Sequence, residues 1–517
     1  MIFDARKTER LPTTVFDYCI VGAGAAALTL ARKLAHAQMK VIILESGGPT
    51  QERFTQNLNR GEVSPGGHEE TTSGRRRQFG GTTTVWGGRC AGFDPLDFAA
   101  RPYLSVDSWP IGHSDLSKYY PEALSACAAG TSFEDWNAEA GDARHWPKSD
   151  ELLRSIYAFS PPTNFFGQNI DFFSRSPQIE IWSHAHVRKI DWSKQSGKVE
   201  SVTVSTRGRT DSIRAKTFVL AAGGLESVRL LLLSPGPIAG EAHLGRHYMS
   251  HLSHFFLLPQ KAWLHGEFER NAQGIYFQRA LGLSASLQRE LELPNHRVFR
   301  HHSPWTLPGH GDGVLSAAHL IQSLITRNQS VFNENLKAHL KNICVQLPYA
   351  IFQGGKFFAA RTGKRRLPSL LLPPRGGLQG YRVDIEQTPS PSNHLTLGQS
   401  RDSYGDPCIR IQWSCSPSEK EAIERIINGV TRRVAGPATP LKFAGPKDPA
   451  QVSGHHLGGT RMSQSSKSGV VDPNCRVHGV ENLYVVGSSV FPTSSYANPT
   501  LTVLALALRL ADHFSNH

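Results

Sequence analysis

Hydrophobic positions in this chain fall in short runs broken by glycine, and the first such run is the most informative. Asp17-Tyr-Cys-Ile-Val reads as a buried strand, Gly22-Ala-Gly24-Ala-Ala-Ala27 as a glycine turn entering a helix through Ala35, and Val41-Ile-Ile-Leu-Glu45 as a second strand. Together they form one βαβ unit. In such a unit Gly22 permits the tight turn, Gly24 lets the backbone approach a pyrophosphate, and Ala27 keeps the helix close to the sheet. Glu45 ends the second strand, where a carboxylate can accept bonds from a ribose. The phosphates would sit on the helix N-terminus. Dinucleotide binding is therefore the expectation, against an ordinary crossover that happens to turn at glycine.

Later segments extend the pattern. Residues 79–90, Phe-Gly-Gly-Thr-Thr-Thr-Val-Trp-Gly-Gly-Arg-Cys, join four glycines to three threonines, a flexible backbone with hydroxyls that could follow a flat ring system. Residues 217–232 read as a buried strand, a Gly223-Gly224 turn and a helix start. Asn482-Leu-Tyr-Val-Val-Gly487 reads as a strand returning to the same sheet, so the cofactor domain is discontinuous. Between about 250 and 450 the chain turns His-rich and aromatic (His251, His254, Phe255, Phe256, His301, His302, Trp305), with strand-like runs near 382–387 and 407–413, which suggests an inserted domain. The Pro/Gly-rich stretch 367–380 reads as a surface loop. From Pro499 an almost wholly apolar helix follows and is expected to be buried.

Composition narrows the class. The 517 residues suit two or three domains, and 39% hydrophobic residues with 25 Phe and 9 Trp exclude a disordered chain. No run approaches the roughly 18 apolar residues of a membrane span. Met1 to Thr14 lacks the apolar centre of a secretory signal, so a cytoplasmic protein is expected. Seven scattered cysteines indicate neither a disulfide framework nor a zinc site, and no metal is expected. The net charge of +13 invites a nucleic-acid reading, sharpened by Arg75–Arg77, Lys364–Arg366 and Arg432–Arg433. Each cluster is short and none interleaves with aromatics, so these read as solvated faces and no nucleic-acid partner is expected. The positive balance would instead suit an anionic substrate.

The densest constellation lies near the C-terminus: Gly454-His455-His456-Leu-Gly458-Gly459-Thr460-Arg461-Met462, then Ser494-Ser495-Tyr496-Ala497-Asn498-Pro499-Thr500-Leu501-Thr502. With the Gly22-x-Gly24 turn and the 80–89 loop, these segments resemble the glucose-methanol-choline flavoprotein oxidoreductases, most nearly their pyranose oxidase-like and sugar dehydrogenase branches. The resemblance implies an α/β plus α+β fold: a discontinuous Rossmann-type FAD-binding domain (1–100, 185–250 and 450–517) with an inserted antiparallel-sheet substrate domain (101–184 and 251–449). It places the catalytic base on His456, by registry with Gly459-Thr460, and the second active-site position on Asn498. It also implies FAD contacts at Gly81, Thr82, Thr83, Trp86, Gly87, Ala222, Gly223, Gly487, Ser488, Pro499 and Thr500, with Val187 near the adenine.

Chemistry gives these types sense. Oxidising an alcohol removes a hydride from carbon and a proton from oxygen; flavin N5 takes the hydride and a neutral histidine can take the proton. Asn498 can hold the same oxygen without competing for its proton. Taken alone, His456 could be a loop histidine, its neighbour His455 could be the one facing inward, and Asn498 before Pro499 is an ordinary helix cap. The family's flavin-attaching histidine is replaced by valine in Thr84-Val85-Trp86, so a dissociable FAD is expected. The expected function is FAD-dependent oxidation of a sugar, glycoside or sugar-like cyclitol hydroxyl to a carbonyl, with oxygen or another molecule as electron acceptor. A hydroxynitrile-lyase-type activity, a non-sugar alcohol oxidation and a non-catalytic flavoprotein subunit are the alternatives. Oligomeric state is not legible.

Overall fold

The computed structural model describes residues 1–516 apart from 66, 134–145, 148, 162–163, 194, 207, 260–266, 303–310, 327–334, 362–366, 370, 372–377, 444–449 and 453. Its first apolar strand, Phe16–Val21, lies inside a six-stranded parallel sheet ordered Ile2–Asp4, Ile179–Ser183, Val41–Leu44, Phe16–Val21, Ala215–Leu220, Leu483–Val485. A parallel sheet needs both faces covered, which is why these strands are nearly continuously apolar. Helix Ala25–His36 covers one face, and the C-terminal helix Thr500–Ser515 packs alongside it with Leu501, Leu504, Leu508 and Ala511 buried. Phe16–Val21 has Val41–Leu44 on one side and Ala215–Leu220 on the other, the arrangement that leaves a crevice beyond the strand's carboxyl end.

A second, nine-stranded sheet is antiparallel throughout. Its path runs Lys442–Phe443, His251–Pro259, Leu378–Glu386, His296–Arg300, Tyr276–Leu283, Leu152–Phe159, Arg89–Cys90, with Phe268–Arg270 and Ala450–Gln451 pairing at its side. Arg89–Cys90 ends the glycine-threonine loop, so that loop is tied directly to the edge of this sheet. The run near 382–387 falls in Leu378–Glu386. The run near 407–413 instead forms Pro407–Gln412, which joins His394–Arg401 and Glu62–Val63 in a small separate sheet. A three-stranded meander, His186–Trp192, Val199–Thr206 and Arg209–Ile213, completes the strands that frame the site.

Several placements differ from the sequence reading. Ile179–Ser183, assigned there to the substrate part, pairs in parallel with Val41–Leu44. The charged N-terminal segment supplies the edge strand Ile2–Asp4. Arg75 and Arg77 are not on a solvated face: both reach the buried carboxylate of Glu226, Arg77 at 2.6 Å and Arg75 at 3.7 Å. That carboxylate offsets their charge, and the pair with Arg229 holds Glu226 far below the ordinary carboxylate range. Arg432 and Arg433, by contrast, lie at the surface as read, in the last turn of helix Pro417–Ala435, where they complement its dipole. Lys364–Arg366 and most of the 367–380 loop fall outside the described residues. Among the described residues no helix is long and apolar enough to cross a membrane, no acidic, His or Cys cluster could hold a metal, and no cysteine is in a disulfide.

Candidate active site

A cavity of about 580 Å³ opens at the carboxyl ends of the parallel strands and runs to the antiparallel sheet. Gly22, Gly24, Glu45, Gly81, Thr82, Thr83, Trp86, Gly87, Val187, Ala222, Gly223, Gly487, Ser488, Asn498, Pro499 and Thr500 all line it, together with both His455 and His456. Ala27 alone of the sequence-selected residues does not; it is fully buried within helix Ala25–His36.

The strand-turn-helix end of the cavity fits a dinucleotide. Gly22 has φ +99°, and a Cβ there would lie 2.8 Å from the Ala221 carbonyl oxygen, so neither the backbone angle nor the space admits a side chain. Gly24 caps helix Ala25–His36 with no side-chain bond, and nothing stands within 4 Å of where its Cβ would be, which leaves the first amides open to an anion. The glycine-threonine loop closes over this turn through a Gly24–Gly80 bridge. Glu45 is buried and its two oxygens accept from the Ala23 and Gly47 amides at 2.9 and 2.8 Å. Burial raises its pKa, and it lines the cavity with acceptor capacity beyond those two bonds.

The threonines behave differently from the expectation of hydroxyls following a ring. Gly81–Thr84 is a tight 3₁₀ turn in which the Thr83 and Thr84 hydroxyls donate to the Gly80 and Gly81 carbonyls at 2.5 and 2.9 Å. Short polar side chains satisfy nearby backbone first. The Ser488 hydroxyl likewise donates to the His456 carbonyl at 2.5 Å. At the far end, Pro499 caps helix Thr500–Ser515 without a side-chain bond, so that helix also presents free amides to the cavity. Val85 is 45% exposed on the cavity wall. Cys90 is fully buried.

The two neighbouring histidines diverge. Both precede Leu457, which bridges Met249, and their rings make separate sets of hydrogen bonds. Among the described residues Asn498 hydrogen-bonds His455, its Nδ2 lying 3.1 Å from His455 Nε2, while His456, the position that registry selects, lines the same cavity. His455 Nδ1 lies 2.8 Å from His251 Nδ1, and His251 Nε2 lies 2.9 Å from the Ser494 carbonyl oxygen. That carbonyl can only accept, so neutral His251 carries its proton on Nε2 and accepts at Nδ1. His455 must then donate from Nδ1 and hold its lone pair at Nε2, toward the donating Asn498 amide. The whole chain of bonds has one direction, set by a backbone oxygen.

His456 lies in a second chain. Its Nδ1 is 2.7 Å from the Tyr248 hydroxyl, which is 2.8 Å from His68 Nε2, while His68 Nδ1 donates to the Glu69 carbonyl at 2.6 Å. His456 Nε2 is enclosed and has no hydrogen-bond partner among the described residues. His456 is only 5% exposed, whereas His455 and Asn498 are both half-buried and open onto the cavity. Burial drives the pKa of both histidines well below the ordinary value, helped at His455 by His251 and Arg382 and at His456 by Arg75 and His68.

The sequence showed His251 and His301 only as parts of His-rich segments and Arg89 only as part of the 79–90 loop, with no role for Arg382; Arg89, Arg382 and His301 line the cavity, and His251 is buried. Nothing in the local pattern marks them: each lies on a strand of the antiparallel sheet or at its end, and only the sheet's register brings them together.

Comparison with known proteins adds two family matches. Residues 17–285 match the FAD dependent oxidoreductase model, and residues 389–507 match the GMC oxidoreductase model. The chain is 22% identical to an oxygen-dependent choline dehydrogenase of Sinorhizobium medicae over 96% of this chain and 95% of that one. It is 35% identical to a C-glycoside 3-oxidase of Arthrobacter globiformis over 21% of each chain. The fold is similar to that of the pyridoxine 4-oxidase from Mesorbium loti, with TM-score 0.56 and 17% identity over 97% of this chain and 99% of that one. With a glycine-turn cavity at the end of a parallel sheet, an antiparallel sheet closing its far side and both family patterns matched, the chain belongs to the glucose-methanol-choline family of FAD-dependent oxidoreductases, enzymes that act on alcohol groups.

Proposed function

We propose that this protein oxidises a hydroxyl of a sugar, glycoside or sugar-like cyclitol to a carbonyl, with His455 taking the hydroxyl proton and Asn498 holding the oxygen. The observation that carries this reading is the directed chain Asn498–His455–His251–Ser494, whose first two members open onto the cavity. Bound FAD supplies the acceptor for the hydride. The protein's own groups handle everything else. The substrate hydroxyl enters between Asn498 and His455 and replaces their direct bond, so that His455, kept neutral by burial, offers the Nε2 lone pair as base; on accepting a proton it still donates from Nδ1 to His251, which holds the ring orientation. The Asn498 amide gives the substrate oxygen a donor without a proton of its own to trade.

His456 takes a supporting place in this account, since a base must be reachable by substrate and its Nε2 is enclosed. We assign the dinucleotide to Gly22, Gly24, Glu45, Val187, Ala222, Gly223, Gly487 and Ser488, and the ring system to Gly81, Thr82, Thr83, Trp86, Gly87, Pro499 and Thr500. The free amides at the start of helix Thr500–Ser515 suit the negative charge that a reduced ring carries. FAD is held without a covalent bond, because Val85 offers no nucleophile. The sugar assignment is supported by the aromatic wall of Trp86, Phe159 and Phe268 beside polar Gln278 and His301, and by the likeness to a C-glycoside 3-oxidase. Division into an FAD-binding and a substrate part follows the two large sheets.

The test is anaerobic mixing of the holoenzyme with a panel of glycosides and with choline. Loss of flavin absorbance with glycosides supports the reading; loss with choline alone refutes the sugar assignment, and turnover with no loss at all identifies a lyase.

A further inference from the structure

The substrate end of the cavity holds an excess of buried positive charge that the oxidation of a neutral alcohol does not require. Arg89, on the edge strand Arg89–Cys90, and Arg382, on strand Leu378–Glu386, both line it. They share one carboxylate: Arg89 Nη1 donates to Asp384 Oδ2 at 3.0 Å, and Arg382 Nε donates to Asp384 Oδ1 at 2.5 Å. The neighbouring acid Glu386 is already committed to Arg101, with Oε1 accepting from Nη2 at 2.6 Å and both side chains fully buried. Two guanidiniums therefore face one available carboxylate. Neither is left to open solvent, with side-chain exposures of 15% for Arg89 and 16% for Arg382.

The donors are also unspent. Among the described residues Arg382 uses only Nε, so neither of its terminal nitrogens has a hydrogen-bond partner, and Arg89 uses only Nη1. Aromatic rings fix the planes: the Arg89 guanidinium lies 4.8 Å from the Tyr157 ring centre and 4.2 Å from that of Phe299, and Arg382 lies 5.7 Å from Phe255. Such stacking holds a guanidinium in place while leaving its edge free. A fixed edge with two free N–H groups matches a planar carboxylate in bidentate fashion.

We propose that this end of the cavity binds a carboxylate carried by the alcohol substrate, so that the preferred substrate is an acidic sugar such as a uronoside. The inference rests on the sugar reading above for the body of the substrate, and on the paired arginines for its charged group. Arg382 supplies the fork, Arg89 the second positive charge, and Asp384 orients both while balancing only one. The aromatic walls next to them cover the apolar faces of the ring.

The test is calorimetric binding to the anaerobic holoenzyme with its flavin already reduced, so that no turnover occurs. Methyl glucuronide is compared with methyl glucoside, which carries a hydroxymethyl group where the uronide has its carboxylate. The uronide should bind about ten- to a hundredfold more tightly, as a charge-assisted fork predicts, and Arg382→Gln should reduce that ratio to within about threefold. Equal binding of the two probes, no binding of either, or a ratio unchanged in both Arg382→Gln and Arg89→Gln overturns the proposal. A glucose phosphate ester that binds more tightly than the uronide overturns the choice of carboxylate. If Arg382→Gln does not fold, the wild-type ratio and its collapse with rising salt decide the matter. Preferential uronide binding without flavin reduction by any glycoside would refute sugar oxidation and leave the anion site standing; flavin reduction by both probes with equal affinity would do the reverse.

Discussion

The side-chain amide of Asn498 donates to Nε2 of His455 at 3.1 Å, across a separation of more than forty residues in sequence, and both groups open onto the same cavity. The direction of that bond is fixed two residues away in the chain of contacts, at the Ser494 carbonyl. Asn498→Ala should therefore slow flavin reduction about ten- to a hundredfold, the loss of one hydrogen bond to a buried reacting group. Asn498→Asp should do more than remove a donor: a carboxylate beside Nε2 favours protonated His455. The acid limb of the kcat/KM profile should then move to higher pH, which stopped-flow measurements across pH would show.

His251 is a positioning residue. It touches neither the substrate oxygen nor its proton, but it accepts from His455 Nδ1 and so fixes which nitrogen carries the lone pair. His251→Ala should lower kcat by about tenfold with little change in KM and should alter the pH profile. His251→Asn, which can still accept at the same place, should recover part of the loss. A purely structural role would move the thermal midpoint without moving the profile.

The pH dependence of stability has a definite sign. His186 and His296 are pushed down to about 3 by burial, and His455 and His456 also lie well below the ordinary 6.5. Their folded pKa values are lower than the unfolded ones, so the unfolded chain takes up protons first as pH falls. Stability is full above pH 7 and declines steadily as pH drops through 6.5 toward 4. Chemical denaturation at a series of pH values checks this; a midpoint that rises on acidification would contradict it. For the same reason the acid limb of activity should fall below the usual histidine range.

Glu226 shows how a sequence cluster can mislead. Arg75, Arg77 and Arg229 all turn to it, and Arg75 and Arg77 line the cavity. Glu226→Gln leaves three guanidiniums beside a neutral amide and should destabilise the fold by about 3–5 kcal/mol, with weaker retention of FAD. Glu226→Asp should lose less. Thermal unfolding followed by tryptophan and flavin fluorescence gives both readouts.

FAD should leave the protein on denaturation. Acid precipitation followed by filtration should put the yellow colour in the filtrate, since Val85 stands at the position where an attaching histidine would be needed. Flavin retained on the polypeptide would contradict this.

What the sequence reveals here is what depends on neighbours in the chain. The Gly22–Glu45 unit was legible because strand, turn, helix and strand are consecutive and their glycines have local reasons. The buried C-terminal helix was legible for the same reason. Ile2–Asp4 was not, because its strand conformation comes from pairing with Ile179–Ser183 and not from its own apolar content. Which of His455 and His456 meets Asn498 depends on how two segments distant in sequence come together in the fold, where Asn498 bonds His455. Motif spacing alone admits both. Arg75–Arg77 look solvated in sequence because the carboxylate that buries them lies far along the chain, and His251, Arg89 and Arg382 come together only through the register of the second sheet.

The most direct measurement compares the rate of anaerobic flavin reduction in His455→Gln and His456→Gln, each with FAD bound, on a glycoside that reduces the wild-type flavin. The account predicts that His455→Gln slows reduction by about 10²–10⁴, the usual contribution of a general base, while His456→Gln slows it by less than about tenfold. A near-normal rate in His455→Gln together with a severe loss in His456→Gln would contradict it.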